Sequence, residues 1–127
     1  MQPTNNPSNQ DSTVIQTVEQ MYPETCAEFR KLLQDEYELF CKKQHDYGSG
    51  NISLGSNLEK AEDRDMSVCS IIFRIYDKTQ RLLNLIVRSA FKSNRTQPAN
   101  ESIEDAFIDL SCYSKIALIV RRGKWGK

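Results

Sequence analysis

The stretch Glu101-Ser-Ile-Glu-Asp-Ala-Phe-Ile-Asp-Leu-Ser-Cys-Tyr113 decides the reading of this chain. At about 100° per residue it is a helix on which Glu101, Asp105 and Asp109 share one stripe. Ile103, Ala106, Phe107, Leu110 and Ala117 fall on the opposite side and form a core face. Cys112, Ile116, Ile119 and Val120 then continue the angular sector of the acids. A stripe that begins acidic and turns apolar predicts a helix covered on both sides, with its carboxylates lining a partly enclosed site. Carboxylates that repel one another there need a cation or basic partners. The helix dipole also favours acids in a first turn. That accounts for Glu101 and Glu104, less well for Asp105 and poorly for Asp109. Ser102 or Asn100 stands where the N-cap belongs.

Working outward, a longer helix is predicted near 66–92. Val68, Ile71, Ile72, Ile75, Tyr76, Leu82, Leu83, Ile86, Val87 and Ala90 cover more than half its circumference, which marks a central helix with neighbours on several sides. The remainder is a narrow strip of Arg74, Asp77, Lys78, Arg81, Asn84 and Arg88, mostly basic. Beside an acidic helix, such cations suit a metal–polyphosphate ligand: carboxylates hold Mg²⁺, and Arg and Lys hold phosphate oxygens. The strip also fits simple i,i+4 pairing on a wet surface.

A further helix is predicted near 24–44, with Phe29, Leu32, Leu33, Leu39 and Phe40 as its apolar face. Glu36 projects into the middle of that face and Lys43 lies on it one turn past Phe40. A charge centred among core positions is either paired or lines a cavity. Residues 45–66 read as a long glycine-containing loop, in which His45 reads as a capping or surface residue. Val14–Met21 reads as a short helix ended near Pro23, and residues 1–13 as a disordered tail. The basic end, Arg121-Arg-Gly-Lys-Trp-Gly-Lys127, reads as a frayed tail or as a segment that folds back, with Trp125 packing on the domain or stacking on a base. The expected fold is therefore all-α: three long helices and a short N-terminal helix in one domain over 14–121, with a basic tail over 122–127.

The totals allow one domain of 127 residues with a modest core. Lys plus Arg and Asp plus Glu both number 17, so net charge points to neither nucleic acid nor membrane. No window approaches the ~20 apolar residues of a membrane span. The polar first residues hold no secretory signal, which makes a cytoplasmic location the expectation. Cys26, Cys41, Cys69 and Cys112 lack any C-x-x-C spacing, so reduced thiols are expected and a zinc site is not.

Three segments taken together resemble a known family. Lys43-x-His-Asp-Tyr-Gly48, Arg74-x-x-Asp-Lys-x-x-Arg-Leu-x-Asn-Leu85 and Glu101-Ser-x-Glu-Asp-x-x-x-Asp-Leu-x-x-Tyr113 resemble the nucleotide modification associated domain 1 family, small helical proteins frequent in bacteriophages. The plan is also similar to the all-α nucleoside triphosphate pyrophosphatases of the MazG and dimeric dUTPase group. Those enzymes hold Mg²⁺ on Glu-x-x-Glu and Glu-x-x-Asp motifs. Here the corresponding helix offers Arg74-x-x-Asp77-Lys78, and the last helix spaces its acids by four.

The resemblance implies a Mg²⁺-dependent pyrophosphohydrolase of phage nucleotide metabolism, cleaving a nucleoside triphosphate between its α and β phosphates. Glu101, Asp105 and Asp109 would hold the metal, with Glu36 or Asp46 as a further ligand or water-orienting base. Lys43, Arg74, Lys78 and Arg81 would meet the phosphates, and Tyr47 or Trp125 the base. The alternative is a nucleotide-binding or nucleotide-sequestering accessory protein that uses the same residues without turnover. Apolar Ile116, Ile119 and Val120 on the acidic sector further suggest a face covered by a second copy, hence a homo-oligomer, most simply a dimer.

Overall fold

The structure, a computed structural model, describes residues 7–91 and 96–127 of the chain. Its elements are α1 (Pro7–Met21), α2 (Pro23–Tyr47), the single turn α3 (Gly50–Ser53), α4 (Ala61–Leu82) and α5 (Ile103–Arg121). A π-helical turn over Leu83–Arg88 and a 3₁₀ turn over Ser89–Phe91 prolong α4. Among the described residues there is no strand, so the expected all-α class holds. The chain divides within α2 into two compact units, Met1–Leu39 and Phe40–Lys127.

The first unit is α1 and the first two-thirds of α2. Helix already begins at Pro7, so residues 7–13 are not the disordered tail expected of them; residues 1–6 lie outside the described residues. Pro23 takes the first position of α2, where its missing N–H costs nothing. Backbone hydrogen bonds run on across it, from the Tyr22 N–H to the Val18 carbonyl at 2.9 Å and from the Cys26 N–H to the Tyr22 carbonyl at 3.0 Å. Arg30 meets Glu19 across the joint at 2.6 Å. Of the expected core face of α2 only Phe40 packs on a core, that of the second unit. No residue of α2 is buried, and Phe29, Leu32, Leu33 and Leu39 are exposed. Helical periodicity names the side that would bury, but burial needs an element to pack against.

In the second unit α4 packs along α5. The core gathers Ile52, Leu58, Ile71, Ile116, Val120 and Trp125, with Phe40, Val68, Ile75 and Tyr113 packed on it. The apolar run at the end of α5 is thus consumed inside the chain. Ile116 and Val120 are buried and Ile119 half-buried. They do not form the exposed patch that the sequence suggested for a second copy. Phe107, expected in the core, is exposed.

The expected long loop is shorter and better held than its composition implies. The helix continues through His45, Asp46 and Tyr47, and Gly48 closes it in the left-handed region at φ 67°, its N–H on the Gln44 carbonyl at 2.9 Å. α4 begins five residues before Met66. Between them Leu58 is buried although its φ is 61°. Its N–H is held by Ser56 Oγ at 2.9 Å, and its carbonyl accepts from Arg64 at 2.9 Å. These bonds keep a leucine in a backbone region that side chains disfavour.

The C-terminal segment folds back rather than fraying. Trp125 is only 6% exposed, edge-on to Phe40 with ring centroids 6.1 Å apart. Its indole N–H donates to the Ser49 carbonyl at 3.1 Å. Gly126, at φ 73°, lies so close that a Cβ there would come within 3.2 Å of Ser49 Cβ.

Candidate functional site

A cleft of about 230 Å³ opens in the second unit, lined by the last turns of α2, the start of α3, the middle of α4 and one face of α5. Lys43, Gln44 and Tyr47 come from α2, Asn51 and Ile52 from α3, and Arg74 from α4. Asp109, Cys112, Tyr113 and Ile116 come from α5, and Phe40 closes the wall. The lining places two cations, one carboxylate and three aromatic rings around one volume. Arg74 is oriented by a hydrogen bond from its guanidinium to the Asn51 carbonyl at 3.0 Å. Lys43 lies 3.5 Å from Asp109.

Behind the cleft stands an ion cluster centred on Lys78. Its ammonium meets Glu101 at 2.5 Å and Asp109 at 2.9 Å. The Lys78 side chain is 19% exposed and that of Asp109 15%. The hydrogen bond that Lys78 donates to Glu101 is the main cause that raises the Lys78 pKa above its ordinary 10.5; burial opposes it and Asp109 adds to it. A folded-state pKa raised in this way contributes stability that is complete below the unfolded value and lost as pH rises through the folded one. The stability difference between wild type and Lys78→Met is therefore expected to stay constant from pH 7 to near 10 and to shrink above 10.5. Urea midpoints of both proteins across that range check it. A difference that closes already below pH 9 would remove Lys78 as its source.

The remaining candidates separate. Ser102 caps α5 by accepting from the Asp105 N–H at 3.1 Å, and the Asp105 carboxylate accepts from the Ser102 N–H at 3.3 Å. Asp105 is thus one half of a capping box. Arg81 donates to the Ser102 carbonyl at 3.1 Å and also to that of Glu101, fastening the chain as it enters α5. Asp46 is exposed on the last turn of α2 and bonds His45 at 3.0 Å. Glu36 belongs to the first unit and is half-buried there. Trp125 is a core residue, because the apolar wall of Phe40, Ile116 and Val120 gives its ring more contact than solvent offers.

The structure therefore brings together Lys43, Tyr47, Arg74 and Asp109, and beside them Lys78 and Glu101. It does not bring Glu101, Asp105 and Asp109 into one ligand set. Among the described residues no group of three or more His, Cys, Asp and Glu side chains is placed to hold a metal ion. The arrangement does not fit a three-carboxylate Mg²⁺ centre: two of the acids are neutralised on one lysine and the third is spent on the helix cap. Sequence reasoning missed Gln44, Asn51 and Cys112 as lining residues, and it took Phe40 for core alone. Tyr113 was signalled only by its place at the end of the third motif.

The second unit is thus a helical domain with two cations and three aromatic rings around one small cleft. The chain belongs to the nucleotide modification associated domain 1 family, whose model matches residues 43–120, more than half of its length and most of the second unit. Comparisons with curated proteins and with solved structures each gave no match. No helix among the described residues is long and apolar enough to cross a membrane.

Proposed function

We propose that the cleft of the second unit binds a nucleotide, with Lys43 and Arg74 on the phosphates and Tyr47 stacked on the base. The observation that carries this reading is the composition of one small lining: two cations facing a carboxylate, with Phe40, Tyr47 and Tyr113 as flat apolar surfaces. Guanidinium and ammonium groups give charge-assisted hydrogen bonds to phosphate oxygens. Tyr47 is 69% exposed at the rim, where a ring is free to stack. Membership of the family supports a role connected with nucleotide modification.

Turnover is the second reading, and Asp109 is the residue that favours it. Mg²⁺ commonly binds through one or two protein carboxylates plus substrate phosphates, and Asp109 is the carboxylate that reaches the lining. The likeness to the all-α pyrophosphatases makes cleavage between α and β phosphates the reaction to look for. Asp109→Asn separates the two readings. For a binding protein, removing the negative charge beside Lys43 leaves nucleotide affinity equal or tighter with or without Mg²⁺. For a pyrophosphohydrolase, Mg²⁺-dependent pyrophosphate release is present in wild type and falls at least tenfold, about 1.4 kcal/mol. Titration calorimetry and a pyrophosphate-release assay over canonical and modified nucleotides check this. No binding of any nucleotide at millimolar concentration would reject both.

A further inference from the structure

α4 is apolar on two sides, and α5 covers only one. Ser67, Ile71 and Leu82 are buried on the covered side, with Val68 and Ile75 packed against the core. On the other side Met66, Cys69, Phe73 and Tyr76 follow one another at spacings of three, four and three, with Ile72 beside them. Met66, Ile72, Phe73 and Tyr76 are 56–65% exposed, and Cys69 is exposed as well. Gln80 holds the next position of the series and interrupts the apolar run with one polar group. A seam of spacing three and four is what a helix presents to another helix.

We propose that this face of α4 is a homodimer interface, in which two copies of the chain cross antiparallel about a two-fold axis near Tyr76. Area is the first argument. With Val87, itself 49% exposed, these side chains present on the order of 600 Å² of surface, close to the ~800 Å² that each partner gives to a standard interface.

Charge complementarity is the second argument, and it selects both the partner and its direction. The helix starts acidic, with Glu62, Asp63 and Asp65, and its π-helical extension ends basic, with an exposed Arg88. The seam between carries one charge, the exposed Asp77 at its edge. A parallel pair would set the acidic turns against each other. An antiparallel pair sets each acidic end against the other copy's basic end and also opposes the helix dipoles favourably. Residues 65 and 88 are roughly 34 Å apart along one helix at 1.5 Å per residue, so they meet only between two copies. The pattern is self-complementary, as an isologous contact requires.

Light scattering on the full chain at micromolar concentration tests this. The expected mass is twice 14.6 kDa. Phe73→Lys, at a position 65% exposed and therefore outside the core, is expected to give 14.6 kDa with an unchanged helical circular dichroism spectrum. Asp65→Arg and Arg88→Asp are each expected to weaken the dimer several-fold at low salt, and the double swap to restore it. A wild-type particle of 14.6 kDa, a dimer indifferent to Phe73→Lys, or a double swap no better than the single changes would overturn the proposal. None of these residues lines the nucleotide cleft, so nucleotide titration of the same variants keeps this result separate from the functional reading.

Discussion

Trp125→Ala is expected to destabilise the second unit by about 3–5 kcal/mol, the range for removing a large buried aromatic ring from a core. Three contributions act in the same direction. The ring belongs to one packed cluster with Phe40, Ile116 and Val120, and its loss leaves a cavity in that core. The edge-on contact with Phe40 at 6.1 Å is lost, and such pairs are worth about 0.5–1.5 kcal/mol beyond burial. The indole hydrogen bond to the Ser49 carbonyl is lost as well; that carbonyl keeps the Ile52 and Ser53 N–H groups, so the loss is that of one ordinary hydrogen bond, about 0.5–1.5 kcal/mol. For a domain of this size, a loss of even 3 kcal/mol lowers Tm by roughly 10–20 °C. Trp125→Phe keeps most of the area but not the hydrogen bond, and an intermediate loss is expected. Thermal and urea unfolding monitored by circular dichroism measure both. As the single tryptophan, Trp125 should also fluoresce with blue-shifted emission that moves red on unfolding. A frayed basic tail would instead give red emission from the outset and a melting temperature indifferent to Trp125→Ala.

The second large effect concerns binding. Replacing Lys43 and Arg74 together by alanine is expected to weaken nucleotide binding at least a hundredfold, about 2.8 kcal/mol. Hydrogen bonds to charged groups contribute about 1.5–3 kcal/mol each, and the double change removes both cations that line the cleft. Arg74 also orients the α3 turn through the Asn51 carbonyl, so a melting curve of the variant is needed beside the titration. Arg74→Lys gives the sharper comparison. It keeps the charge and loses the planar fork, so it should retain part of the affinity if charge alone matters and little if the bidentate geometry matters. Affinity unchanged in the double variant would place the nucleotide elsewhere or remove it from consideration.

These expectations differ from a site drawn on helical stripes alone, and the difference has a physical cause. A stripe states which side chains share a side of one helix; it does not state what lies opposite. Glu101, Asp105 and Asp109 share a stripe, and for that reason a common ligand was a fair inference. In the structure each acid finds the nearest available partner. Asp105 is at the third position of its helix and turns back to the N-cap backbone. Glu101 and Asp109 bracket Lys78, which reaches across from α4. A lysine between two carboxylates removes most of the repulsion that would otherwise call for a metal. The basic strip of α4 likewise divides by height along the helix. Arg74 reaches the cleft, Lys78 the acids and Arg81 the chain entering α5.

The sequence by itself determined the all-α class, the existence of the long helices and a polar cap at Ser102 or Asn100 before the last of them, and it named Lys43, Tyr47, Arg74 and Asp109 among its candidate site residues. Those features rest on period, on capping chemistry and on motif residues that act over a few turns of one helix. Tertiary structure alone decided the rest. It put Trp125 in the core, made Asp105 a cap, gave Asp109 two lysines, and buried Ile116 and Val120 inside the chain. It also left the seam of Met66, Phe73 and Tyr76 open, although the sequence reads α4 as apolar over more than half its circumference. Each of these outcomes depends on which element arrives opposite a given face, a long-range pairing that the local pattern of apolar and charged residues constrains but does not contain.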